Sequence, residues 1–244
     1  MSSVGTLIEK YTRLLSEVSQ SKSLSLEQFI LLITDAVYVV STLLPLVASI
    51  LHSKFGKEIS EFALLEQTLL DLRRSICETF AKDKAGDFVG DFLVFDQREY
   101  KEKKAAEKLE KVYPADKIMN GVRELIRFSK ELENPQVKKA LISSFGNRIV
   151  LCLTENQVWT AADGALSYGT PGFIQFLIDV EFFAVSLQDC TTPATRKTLS
   201  ALIARTHQQF TERSAQPIPS VEWFDRRGRD LTTLFEKKSG AILH

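Results

Sequence analysis

The residues able to do chemistry are few and scattered. His52, His207 and His244 are the only histidines, and none has a serine, cysteine or carboxylate at the spacing of a catalytic constellation. An imidazole works as a general base only when a proton to be moved lies within hydrogen-bond reach. Cys77, Cys152 and Cys190 form an odd, widely spaced set without a CxxC. That pattern predicts reduced, buried thiols and neither a disulfide framework nor a zinc site. Gly164, Gly169 and Gly172 are neighbours, but Tyr168 and Pro171 among them make a tight loop between helices the expected role. The chain has no GxGxxG or GxxxxGK phosphate cradle, no HExxH and no calcium-loop pattern. The expectation is a chain without catalysis, metal or cofactor.

Two acids and one basic cluster remain. Asp35 and Asp179 each interrupt an apolar helical run. One reading is a polar residue paired to a neighbouring helix or facing water. The other is a ligand-binding or enzymatic bundle whose pocket holds both carboxylates, because buried acids with shifted titration mark functional sites. Arg226, Arg227 and Arg229 lie together near the end, with Lys237 and Lys238 beyond. From Arg196 onward there are nine Lys or Arg against five Asp or Glu, a local excess of four. Such a cluster suits acidic lipid headgroups or an acidic partner. It equally suits plain helix solubility, with cations near a helix C-terminus. Over the whole chain, 31 basic residues balance 31 acidic ones. Zero net charge gives no general attraction to nucleic acid.

The elements that must position these residues are helical. Glycine and proline number only 11 and 7 in 244 residues, which leaves room for long helices. A first helix is expected over about Val4 to Val18. Ser25 and Gln28 have the spacing of a capping box and open a second, to about Lys54, bent at Pro45 and closed at Gly56. A third follows over about Glu58 to Lys82, with Ile59, Phe62, Leu65, Leu69, Leu72, Ile76 and Phe80 on one seam. Gly86 and Gly90 predict a break over 83–96, with Phe88, Phe92 and Phe95 folding back onto the core. Gln97 to Val112, dense in Lys and Glu, reads as a solvated helix face held by charge pairs four residues apart. Another helix is expected over about Asp116 to Glu133. Asn134-Pro135, Thr170-Pro171 and Thr192-Pro193 each place a capping residue before a first-turn proline. They predict helices over about 135–155, 171–188 and 193–212, and Ser220 caps a last one over about 221–238. No stretch alternates long enough to make a sheet. The fold class is therefore all-α, with one helical bundle over 1–112 and a second over 113–244.

Phe29 to Leu51 is almost wholly apolar and about long enough to cross a bilayer. Asp35, Thr34, Ser41, Thr42, Ser49 and Pro45 argue against a lipid-facing span, and a helix apolar all round is equally expected in a bundle core. Met1 to Thr12 has no basic stretch leading into an apolar one, so no signal peptide is expected there.

The C-terminal half carries a resemblance. FGNRIVLCLTENQ over Phe145–Gln157 is followed by Trp159. Next come GFIQFLIDVEFF over Gly172–Phe183, the helix of Thr192 to Phe210, and VEWFD over Val221–Asp225. In this order they resemble the C-terminal helical region of the eighty-four-kilodalton subunit family of the exocyst, especially its plant-type members. Gly172, Gln175, Asp179 and Phe182 match that family's Gly-Leu-x-Gln-x-x-x-Asp-Met-x-Phe helix, with Phe173 and Val180 in place of Leu and Met. Trp223 and Phe224 match its Trp-Phe pair, and Leu31 to Pro45 looks like its entering helix. The resemblance spans most of residues 26–235. The family's coiled coil and pleckstrin-homology domain have no counterpart among these residues.

The resemblance implies an elongated rod of stacked helical bundles of the tethering-complex type, without catalysis. It implies a cytoplasmic subunit, recruited to exocytic sites at the plasma membrane and to secretory vesicles. Its partners would be other exocyst subunits, with small GTPases or acidic lipid engaged at the level of the complex. It implies no nucleic-acid partner and no ligand site. It also turns Phe29 to Leu51 into an expected core helix and not an integral membrane segment.

Overall fold

The computed structural model describes residues 6, 10–11, 13–14, 17–18, 24–55, 60–132, 134–155, 164, 167–214 and 216–239. Among them there are helices and loops and no strand. The α-helices are α1 (Leu26–Tyr38), α2 (Leu44–Phe55), α3 (Ser60–Phe92), α4 (Gln97–Lys101), α5 (Asp116–Glu131), α6 (Pro135–Leu153), α7 (Thr170–Ser186), α8 (Pro193–Arg213) and α9 (Val221–Ser239). The helix expected over about Val4 to Val18, the cap at Gly56, Trp159 and His244 fall wholly or largely outside the described residues.

Local chemistry explains most boundaries. Ser25 forms the expected capping box: its hydroxyl accepts from the Gln28 N–H, and the Gln28 side chain accepts from the Ser25 N–H at 2.8 Å. Asn134 accepts from the N–H groups of Gln136 and Val137, and Thr192 from that of Thr195. Both satisfy donors that a first helical turn leaves unpaired. Ser220 accepts from the Trp223 N–H at 3.4 Å. The Thr170-Pro171 expectation needs correction: Gly169 is the N-cap, no side chain caps this end, and both residues already lie in the first turn.

Three further expectations change. Gly86 and Gly90 do not end α3, which runs on to Phe92. Both sit with open space where a side chain would be, so each costs only helix propensity, about 1 kcal/mol. Phe95 is buried, whereas Phe88 is half-buried and Phe92 exposed. Gln97 to Val112 is not a continuous helix: α4 ends at Lys101, and only Leu109–Lys111 coils again as a 3-10 turn. The exposed Lys111–Glu107 pair, at 3.2 Å, is too weak to hold a helix that lacks a buried stripe. At Pro45 the expected disturbance is a π-helical turn over Val39–Leu43, where the Leu44 N–H reaches back to the Val39 carbonyl. This accommodates a residue with no N–H to give.

By contact the chain divides into a unit of residues 1–83 with 132–145 and a unit of 84–131 with 146–244. The division is therefore not the sequential one at 112/113, because α3 and α6 each contribute residues to both units. In the first unit, Phe29, Phe80 and Phe145 join α1, α3 and α6, with ring centroids 5.3 and 5.5 Å apart. The apolar helix is not wrapped in core as expected. Phe29, Leu32, Ile33, Ala36 and Val37 are buried, but Leu31 is 61% exposed and Leu46 55%. Glu27–Lys54 is long and apolar enough to cross a membrane, and only 33% of its most apolar stretch is buried. Thr34 and Ser41 hydroxyls bond back to the Ile30 and Val37 carbonyls at 2.7 Å, so these polar groups are satisfied within the helix itself.

In the second unit α7 is the centre. Every residue from Gly172 to Phe183 is buried, and α4, α5, α8 and α9 all pack on it. A helix covered on every side needs no amphipathic pattern, which is why its sequence is apolar all round.

Candidate functional site

The sequence brings Asp179 into the middle of α7, and the fold closes over it. Its carboxylate is 0% exposed. The Tyr100 hydroxyl of α4 donates to one oxygen at 2.8 Å. The Ala115 N–H and the Gln175 side-chain amide donate to the other, each at 2.8 Å. The same Gln175 nitrogen also donates to the Tyr113 carbonyl at 2.8 Å. Ala115 is itself the residue whose carbonyl opens α5, accepting from Ile118 and Met119. One carboxylate thus fixes α4, the start of α5 and α7 together.

The electrostatics follow from this placement. Burial pushes the Asp179 carboxyl up from its ordinary 3.8 to about 7, while the three donors and the more distant Lys103 pull it down. Burial, then the Asp179 charge, holds the Tyr100 hydroxyl well above its ordinary value. The Tyr168 ring lies tilted against that of Tyr100, centroids 5.4 Å apart, and its hydroxyl is pushed up to about 12, chiefly by burial. The Gln175 carbonyl oxygen and the Tyr168 hydroxyl are buried without a hydrogen-bond partner.

The other residues that carry the resemblance are packing residues as well. Gly172 lies under the Tyr100 backbone, and a methyl group there would overlap the Tyr100 carbonyl oxygen. Phe182 is fully buried against Phe235 of α9, ring centroids 5.4 Å apart. Phe224 is fully buried, and Trp223 is half-buried and edge-on to it at 5.1 Å. Gly172, Gln175, Asp179, Phe182, Trp223 and Phe224 therefore all serve the same unit. Asp35 does not join them: it is half-buried in the first unit.

The three arginines divide their work. Arg227 turns inward, donating to the Glu110 and Val112 carbonyls at 2.6 and 3.0 Å, with its guanidinium 5.7 Å above the Tyr113 ring. Arg229 pairs with Asp225 at 2.7 Å. Arg226 is exposed. His207 shares a hydrogen bond with the Pro219 carbonyl at 2.8 Å, and His52 is exposed in the last turn of α2. Cys77, Cys152 and Cys190 are buried, and burial pushes the Cys77 thiol up to about 12.

Sequence reasoning missed Glu181. It is buried, and burial followed by the nearby Asp225 charge raises it from 4.5 to about 7, with Arg229 opposing. Glu181 and Asp225 line a small pocket of about 140 Å³ with Thr195, Arg196 and Ser200. The available signal was the spacing of Asp179 and Glu181. Two residues apart on a helix they point to different faces, so an apolar run holding both is covered on more than one side. Among the described residues no group of three or more His, Cys, Asp or Glu is placed to hold a metal ion.

Comparison with protein-family models, with curated proteins and with solved structures finds no match to this chain.

Proposed function

We propose that this chain is a non-catalytic subunit, or part of one, of the exocyst vesicle-tethering complex, helping to dock secretory vesicles at the plasma membrane during exocytosis. One observation carries the reading. The described motif residues of the resemblance, Gly172, Gln175, Asp179, Phe182, Trp223 and Phe224, all lie in the packing of α7 and α9 and their neighbours. Motif residues spent on packing support a helical scaffold, the architecture that the resemblance implies. Asp179 suits that role better than catalysis. It is fully buried and accepts from three donors of the protein, whereas a general base needs a lone pair open to substrate.

The alternative of a ligand-binding or enzymatic bundle built on Asp35 and Asp179 lacks comparable support, since the two acids belong to different units. In the tethering reading the chain is cytoplasmic, is recruited to exocytic membrane sites, and stacks its bundles into a rod. Small-angle scattering of the purified chain then gives an elongated particle; a compact particle contradicts the rod. Reconstitution tests the assembly: mixed with the other exocyst subunits, the chain co-elutes with them in size-exclusion chromatography. Elution as a separate species at micromolar concentrations of all components contradicts the proposal.

A further inference from the structure

Between α5 and α9 runs a groove of about 360 Å³. Its floor is apolar: Phe182 of α7, with Leu231 and Phe235 of α9, all buried. Met119 and Pro114 form the opposite wall. Two large apolar side chains stand at the mouth, Tyr113 at 51% exposure and Leu234 at 37%. The charges lining it are of one sign. Arg123 reaches in from α5, its guanidinium 5.3 Å above the Phe235 ring, and Lys238 from α9; among the described residues that line the groove there is no carboxylate. Leu231, Leu234, Phe235 and Lys238 recur at three and four residues, so one stripe of α9 supplies both the apolar floor and a cation.

From this we infer that the groove is the docking site for an acidic amphipathic helix of a partner protein. Its apolar stripe packs on the exposed Tyr113 and Leu234 and the half-buried Met119, above the buried Phe182, Leu231 and Phe235, and its flanking Glu or Asp side chains meet Arg123 and Lys238. Helix-in-groove recognition lays the apolar face of a helix into such an apolar recess. The two cations then select an acidic partner and disfavour a basic one. The inference concerns the chemistry of the groove and holds whichever assembly the chain joins.

The test uses the whole chain and a panel of fluorescein-labelled synthetic helices, read by fluorescence anisotropy. Each peptide carries Leu, Ile or Phe at positions i, i+3, i+4 and i+7, flanked by Glu in one set and by Lys in the other. The Glu set binds the wild type at least about tenfold more tightly than the Lys set, and added salt weakens it. The double variant R123E/K238E reverses that preference. L234D weakens the Glu set by about tenfold without reversing it. All three positions are at least partly solvent-exposed, and an unchanged thermal melt certifies the fold of each variant. Four results overturn the inference: no peptide binding below millimolar concentration, equal binding of both sets, binding of phosphatidylserine vesicles in place of the peptides, or pairing of the chain with itself. A tenfold gain in peptide affinity on deleting residues 240–244 also overturns it, because the chain's own tail would then be the occupant.

Discussion

Asp179 is a carboxylate held without a cation in direct contact, and its three donors decide what each substitution does. Asp179→Ala leaves the Tyr100 hydroxyl, the Ala115 N–H and the Gln175 amide without their shared acceptor. Unpaired buried groups cost about 1–3 kcal/mol each, so urea unfolding should show a loss of about 3 kcal/mol or more. Asp179→Asn keeps one oxygen for Ala115 and Gln175 and should cost about 1 kcal/mol. The pH dependence has a definite sign. Asp179 rises from 3.8 to about 7 and Glu181 from 4.5 to about 7, so each binds its proton more tightly folded than unfolded. The stability they contribute is complete below about pH 4 and is lost as pH rises through about 7. Unfolding midpoints of the wild type and Glu181→Gln across pH 4.5–8 check this. The wild type should lose stability relative to the variant as pH rises; a constant difference contradicts it. Asp179 was legible in the sequence as a lone acid in an apolar run. Its partners were not, because Tyr100 and Ala115 lie 79 and 64 residues away and only the fold brings them close.

At the scale of elements, capping chemistry was the readable part. Ser25, Asn134 and Thr192 act as their spacing predicts, because a cap is decided within four residues. What failed depended on tertiary contact. Gly86 and Gly90 looked like breakers, yet α3 continues through them, since the buried Ala81, Ala85 and Val89 keep its stripe going. Two glycines therefore predict opposite outcomes. Gly90→Ala places a methyl group in open space within a helix and should raise stability by about 1 kcal/mol. Gly172→Ala drives a methyl group into the Tyr100 backbone and should lower stability by about 2 kcal/mol or more. Thermal melts of the two variants separate the cases. The acidic and basic run after Tyr100 was misjudged for a related reason. Charge pairs on an exposed face contribute little, and without a buried stripe α4 stops after five residues.

For the whole molecule, helical content was legible from periodicity and the scarcity of breakers, whereas the division into units was not. A boundary set by contacts between distant segments, 1–83 with 132–145 and 84–131 with 146–244, leaves no mark in local composition. The apolar helix was a related case. Its length and hydropathy were plain, but which of its faces is covered depends on the rest of the fold, and Leu31 and Leu46 stay exposed. An all-helical chain whose motif residues are spent on packing fits a scaffold that acts through its surfaces, among them the groove of α5 and α9. The most direct test of the tethering proposal is affinity purification of the tagged chain from cells that express it naturally, with its partners identified and quantified. The account predicts the other exocyst subunits in near-equal amounts. Recovery of the chain alone, or with a stable set of partners that excludes the exocyst, contradicts it.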